Sequence, residues 1–246
     1  MATQGLTEFI YGRRTVDEAL RTPAPIERIL IADGSHGPAV EAIRARADEL
    51  GIEVEILARA QLDRLVGPIN HQGVAARVAS YAYAELDDLL DAATVRLILL
   101  DGVTDPANLG SILRSAEAFG WTGVLIPKDR AVSVTPVVRK VSSGAAERVP
   151  VARVGSAADM VARLRRKDVW VVGLDPGAAP YWEADLLGRV CLVLGAEGRG
   201  LGRLVRERCD ILAGVPMVGE QASVNVAVAA ALVMAEVTRG GGLATT

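Results

Sequence analysis

The stretch LDGVTDPANLGSILRSAEAFG, residues 100–120, decides how the chain is read. It runs as a strand end, a polar turn and a helix. Leu109, Ile112, Leu113, Ala116 and Phe119 recur at helical spacing and predict an amphipathic helix over 108–119 with one buried face. Burial does not call for Asn108, Gly110 or Arg114. Asn108 can cap the helix through its side-chain oxygen, so a capped helix with an exposed arginine is the simpler reading of this loop alone.

Working outward, the α/β rhythm continues. VRLILLDG, TGVLIP, RVPVARV, VWVVGLD, RVCLVLGAE and DILAGVPM read as apolar strands. Between them lie helical stretches near 136–145, 156–167, 202–207 and 224–238. Continuous Val/Leu/Ile strands separated by helices predict a parallel sheet covered on both faces. A smaller α/β unit precedes it, and YAYAELDDLLDAAT reads as a connector containing a short acidic helix. The expected division is a substrate-binding α/β domain over 1–82, a linker over 83–94, the larger domain over 95–240 and a flexible tail over 241–246.

The 246 residues are 50% hydrophobic, 23% charged and 4% aromatic, with a formal charge of -3. This is globular composition without a general basic footprint. The two cysteines, Cys191 and Cys209, fit neither a disulfide framework nor a zinc site, and no metal is expected. MATQGLTEFIYGRR has no apolar signal core, and the apolar run around VNVAVAAALVMAE contains Asn225 and is too short to span a bilayer. A soluble, cytoplasmic protein without a membrane partner is expected.

Ligands of open parallel sheets sit beyond the carboxyl ends of the strands. Besides the opening stretch, two loops there carry more chemistry than a turn needs. LVLGAEGRGLG, residues 192–202, places Gly195, Gly198, Gly200 and Gly202 after a strand, where bare backbone lets a ligand approach. Its spacing is not the dinucleotide fingerprint, and Glu197 would repel a pyrophosphate, so a nicotinamide-dependent enzyme fits poorly. A carboxylate suits a cationic or hydroxyl-bearing ligand. VPMVGEQASVNVAVAAALVMAE, residues 215–236, ends a strand at Pro216-Met217 and opens a helix at Ser223, an ordinary cap. Asn225 is not needed for capping and is expected to be partly buried, where an amide demands partners.

These three stretches resemble the signature motifs of the SpoU (TrmH-type) RNA ribose 2'-O-methyltransferases of the SPOUT superfamily, in order, between Val95 and Arg239. YGRRTVDEAL and NHQGVAARV resemble the RNA-binding domain that precedes the catalytic domain in many members. The stretches VTDPANLG and IPKDR look most like the bacterial 23S rRNA guanosine enzymes. The resemblance implies a trefoil-knotted fold, an exception to ordinary chain topology. It also implies S-adenosylmethionine as cofactor, a homodimer through the catalytic domain, and RNA as substrate, with rRNA first and tRNA as the runner-up. A catalytically silent RNA-binding member is the other alternative.

By position, Leu194, Gly195, Ala196, Val215, Met217 and Val224 match the family's cofactor contacts. Arg114, Asn108, Glu197, Ser223 and Asn225 match its catalytic set. Arg114 is expected to hold the RNA phosphate or stabilise the developing alkoxide, since a guanidinium stays protonated. Asn108 would fix Arg114 or the ribose, Glu197 would orient Arg114 or attract the sulfonium, and Ser223 and Asn225 would order the cofactor loop. Two positions depart from the family: Val224 replaces the usual Leu of Ser-Leu-Asn, and Ala227 stands where Ser is common. For RNA, Arg13, Arg14, Arg44, Arg46, Arg59, Arg64 and Arg77, with Arg139 and Lys140, supply positive charge that would position the strand rather than read its sequence.

Overall fold

A computed structural model describes residues 8–21, 26–67, 69–79, 81–129, 131–219 and 223–240. The tail expected over 241–246 lies outside them. The chain divides into two compact units, Met1–Ala82 and Tyr83–Thr246.

The first unit contains β1 (Glu8–Tyr11), α1 (Arg13–Leu20), β2 (Ile26–Ala32), α2 (Pro38–Glu49), β3 (Val54–Leu57), α3 (Arg59–Val66) and β4 (Val74–Val78). The strands form one sheet in the order β1-β4-β2-β3, in which only β2 and β3 are parallel. Alternation along β2 sorts its side chains between two cores. Ile29 and Ile31 meet α1 and α2 through Val16, Leu20, Val40 and Ile43. Leu30 and Ala32 meet Leu62 of α3.

The second unit contains α4 (Leu86–Leu90), β5 (Arg96–Asp101), α5 (Pro106–Ala118), β6 (Gly123–Pro127), α6 (Pro136–Val141), β7 (Val151–Val154), α7 (Ala157–Arg165), β8 (Trp170–Leu174), β9 (Val190–Gly195), α8 (Arg203–Arg208), β10 (Ile211–Ala213) and α9 (Val226–Gly240). Six parallel strands lie in the order β10-β8-β9-β5-β6-β7. The central strands are apolar throughout because both faces are covered. Leu97 and Leu99 of β5, with Cys191 and Val193 of β9, pack with Met160, Val161 and Leu164 of α7 and Val205 of α8. Ile98 and Leu100 alternate to the opposite face and are equally buried. Leu89 and Leu90 of α4 belong to the α7 core, so part of the stretch read as a linker is built into this unit.

Three local differences from the sequence reading have physical causes. α5 starts two residues earlier than expected, because Asp105 is its cap and accepts from the Ala107 amide at 3.0 Å, with Pro106 at the first helical position. The stretch near 136–145 is not one helix. It breaks at Ser143 (φ 52°) and Gly144 (φ 87°), and a 3-10 turn follows over Ala145–Glu147. β10 ends at Ala213, so Pro216-Met217 lies in an irregular segment rather than at a strand end.

Gly110 answers to packing rather than to a ligand. A Cβ there would stand 2.6 Å from Cβ of Val141, so the bare backbone lets α6 cross close over α5.

Candidate active site

A cavity of about 600 Å³ opens beyond the carboxyl ends of β8 and β9. Its lining follows the carboxyl ends of two adjacent parallel strands, where ligands of open parallel sheets sit. All six expected cofactor contacts line it: Leu194, Gly195, Ala196, Val215, Met217 and Val224.

The glycine-rich loop is a tight hairpin. The Ala196 amide donates to the Gly200 carbonyl at 3.1 Å, and the Gly200 amide returns to Ala196 at 2.8 Å. A Cβ on Gly195 would lie 2.2 Å from the Gly200 carbonyl carbon. Gly195 is therefore required by the loop's own backbone, and it also lines the cavity. The opposite wall is anchored at Gly214, whose amide donates to Ala179 at 2.7 Å and whose carbonyl accepts from Tyr181 at 2.9 Å.

Asn108, Glu197 and Asn225 come from three distant stretches and form a closed set of hydrogen bonds. Asn108 Nδ2 donates to Glu197 Oε1 at 3.0 Å. Asn225 Nδ2 donates to the same oxygen at 2.8 Å and to Asn108 Oδ1 at 2.9 Å. Asn225 Oδ1 accepts from the Ala227 and Val228 amides at 2.9 and 3.4 Å. These backbone donors fix which end of the Asn225 amide is oxygen, and that in turn fixes Asn108.

Two sequence expectations are corrected here. Asn108 caps no helix and is buried in the first turn of α5. Asn225, not Ser223, caps α9, and it is exposed rather than partly buried. A capping amide must stand at the helix entrance, where its free side faces the cavity. Ser223 lines the cavity and is exposed.

Arg114 is set apart. It lies on the exposed side of α5, does not line the cavity of its own chain, and makes no hydrogen bond or ion pair with the described residues. The partnerships Arg114–Asn108 and Arg114–Glu197 are therefore absent within the chain, because both polar groups are engaged with Asn225. Beside α5 runs a shallow second groove of about 420 Å³ between Ser111, Ser115 and Phe119 and the α9 residues Val228, Ala231 and Leu232. Asn225 lines both depressions.

The sequence reading missed Leu174, Asp175, Pro176 and Arg199, which also line the cavity. The strand-end rule reaches the first three, because β8 is adjacent to β9 and ends at Leu174. Asp175 is ion-paired with Arg206 and accepts from the Gly177 amide at 3.0 Å. Several arginines expected to meet RNA are engaged internally: Arg77 with Glu27 at 2.6 Å, Arg13 with the Gln72 carbonyl at 3.1 Å, and Arg139 with Glu147 at 3.2 Å. His71 is a buried turn residue whose Nε2 lies 2.6 Å from Asp63 and whose Nδ1 accepts from the Gly73 amide at 3.0 Å. Among the described residues, no group of His, Cys, Asp or Glu could hold a metal, and no helix is long and apolar enough to cross a membrane.

A parallel α/β domain with a partly apolar cavity at its strand ends, and a carboxylate held open at the rim, defines a binder of a small, partly apolar, cationic molecule. Residues 96–235 match the SpoU rRNA Methylase family, and residues 9–84 match the family described as RNA 2'-O ribose methyltransferase substrate binding. The chain belongs to the SpoU rRNA methylase family.

It is 44% identical to the 23S rRNA (guanosine-2'-O-)-methyltransferase RlmB of Xylella fastidiosa, over 94% of this chain and 96% of that one. It is 40% identical to the putative TrmH family tRNA/rRNA methyltransferase YacO of Bacillus subtilis, over 94% and 95%. The structure of the SpoU methyltransferase AviRb from Streptomyces viridochromogenes in complex with AdoMet superposes with a TM-score of 0.64 at 25% identity, over 95% of this chain and 90% of that one.

Proposed function

We propose that this protein transfers a methyl group from S-adenosylmethionine to the ribose 2'-hydroxyl of a guanosine in 23S rRNA. The observation that carries the reading is the Glu197 carboxylate, fixed by two amide donors at the rim of a cavity with apolar walls. An anion beside an apolar wall fits a sulfonium-bearing nucleoside and repels a pyrophosphate. Bound there, S-adenosylmethionine supplies an activated methyl group, so no metal is needed.

Leu194, Val215, Met217 and Val224 would hold the apolar parts of the cofactor, with backbone of Gly195 and Ala196 beside them. Asn108 and Asn225 hold Glu197 in place, and Asn225 and Ser223 order the segment entering α9. Arg114 stabilises the alkoxide or the neighbouring phosphate through its guanidinium. Since Arg114 does not line its own cavity, the active unit is a homodimer in which it serves the partner's site. The groove that meets the cavity at Asn225 supports this, because Val228 and Leu232 expose an apolar stripe there. The first unit positions the RNA, the second carries the chemistry in a trefoil knot, and the enzyme works in the cytoplasm.

tRNA is the second substrate reading, favoured by the likeness to the putative TrmH family tRNA/rRNA methyltransferase of Bacillus subtilis. A silent RNA binder is disfavoured by the assembled polar set. The test is to map 2'-O-methyl sites in 23S rRNA and tRNA from cells with and without the gene, and to repeat the transfer with purified protein. A single guanosine in 23S rRNA that loses its methyl group supports the reading. Unchanged maps and no transfer in vitro overturn it.

A further inference from the structure

We propose that Arg199, at the tip of the 196–200 hairpin, is a backbone contact for the RNA strand carrying the target ribose: its guanidinium takes a phosphate at the mouth of the cavity. This rests on the reading of the site as an RNA methyltransferase and adds a residue outside its catalytic and cofactor-binding sets.

Among the described residues lining the cavity, Arg199 is the only lysine or arginine. It is exposed and has no hydrogen bond or ion pair with any described residue. Neither carboxylate lining the cavity is paired with it. Glu197 takes its amide donors from Asn108 and Asn225, and Asp175 is paired with Arg206. The reciprocal bonds between Ala196 and Gly200 hold the turn that presents it, so its backbone is ordered before any ligand arrives.

Charge decides between the two anions that could meet it. The methyl donor has one carboxylate but also an ammonium and a sulfonium, so it is a net cation and gains little from a second cation at its pocket. RNA brings one negative charge per nucleotide, and a guanidinium fork matches two phosphate oxygens at once. An exposed position at the rim, in front of the buried wall formed by Leu194, suits the ligand that arrives from solvent.

The test compares wild type, Arg199→Gln and Arg199→Lys. RNA affinity is measured by filter binding across a salt series, RNA KM and kcat by methyl transfer, and S-adenosylmethionine affinity by calorimetry. For Arg199→Gln, RNA binding weakens about 3–10-fold at physiological salt, and the slope of log K against log salt falls by about one. Cofactor affinity holds, and Arg199→Lys recovers the salt slope but not the full affinity. An unchanged RNA affinity and slope in Arg199→Gln overturns the proposal. So does a loss of cofactor affinity matching the loss of activity, which would assign Arg199 to the cofactor carboxylate. If wild type methylates no RNA, the enzymatic reading fails, while the binding series still judges Arg199.

Discussion

Asn225 and Asn108, separated by 117 positions in the chain, are joined by one hydrogen bond of 2.9 Å, and both donate to the same oxygen of Glu197. Asn225 therefore does two jobs, as the cap of α9 and as an orienting donor in the site.

The two jobs separate by substitution. Asn225→Asp keeps the cap, since Asp serves as well as Asn, but faces Glu197 with a second carboxylate. Its melting temperature stays near wild type while kcat falls about 10²-fold, the scale of a misplaced reacting group. Asn225→Ala loses both jobs and melts about 2–4 °C lower. Calorimetry beside a methyl-transfer assay reads both.

Arg114→Ala abolishes methylation and largely spares cofactor binding by calorimetry. If Arg114 serves the partner's site, mixing Arg114→Ala with Glu197→Gln restores activity. Random reassociation makes half the dimers mixed, each with one intact site, for about a quarter of wild-type rate. Sites completed within one chain would leave the mixture inactive. Leu232→Glu, on the exposed stripe of α9, shifts the sedimenting species to monomer.

Two glycines predict opposite phenotypes. Gly110→Ala forces a methyl against Val141 and lowers stability by about 1–3 kcal/mol, the usual scale of overpacking, with cofactor affinity retained. Gly195→Ala instead drives a methyl into the Gly200 backbone, opens the hairpin and removes cofactor binding. Denaturant midpoints and calorimetric titrations distinguish them.

The Cys209 thiol is half-buried, and burial, with the charges of Asp210 and Asp101, pushes its pKa up to about 12 from 9.0. The folded state holds the proton that the unfolded chain releases near 9.0, so this contribution is full below that pH and declines as pH rises toward 12. Between pH 8 and about 10.5, the urea midpoint of wild type falls further than that of Cys209→Ala. At pH 8 the native thiol resists alkylation, and urea exposes it.

The parallel sheet was legible because Leu97–Leu100 and Val190–Leu194 are apolar runs, and the helical face of α5 was legible from Leu109, Ile112, Leu113 and Ala116. Of the three chemically dressed stretches, those at 192–202 and 215–236 line the cavity, and the first reaches them through the hydrogen bonds of Asn108. What stayed hidden depends on partners far along the chain. Local sequence offers Ser223 as the cap, whereas the folded chain gives that place to Asn225, which also reaches Glu197, 28 positions away. That Gly195 is also demanded by the Gly200 backbone shows only once the hairpin has folded. Arg114 reads as part of the set, yet its separation from Asn108 and Glu197 is a property of three dimensions.

The cap on α9 ties the pocket to a helix that follows every strand of the sheet in the chain. Until α9 has wound and seated, Asn225 has no turn to hold, Glu197 loses one of its two donors, and the crevice lacks a wall. A nascent or clipped chain missing that helix could fold much of its sheet and still be inert toward every transcript it met.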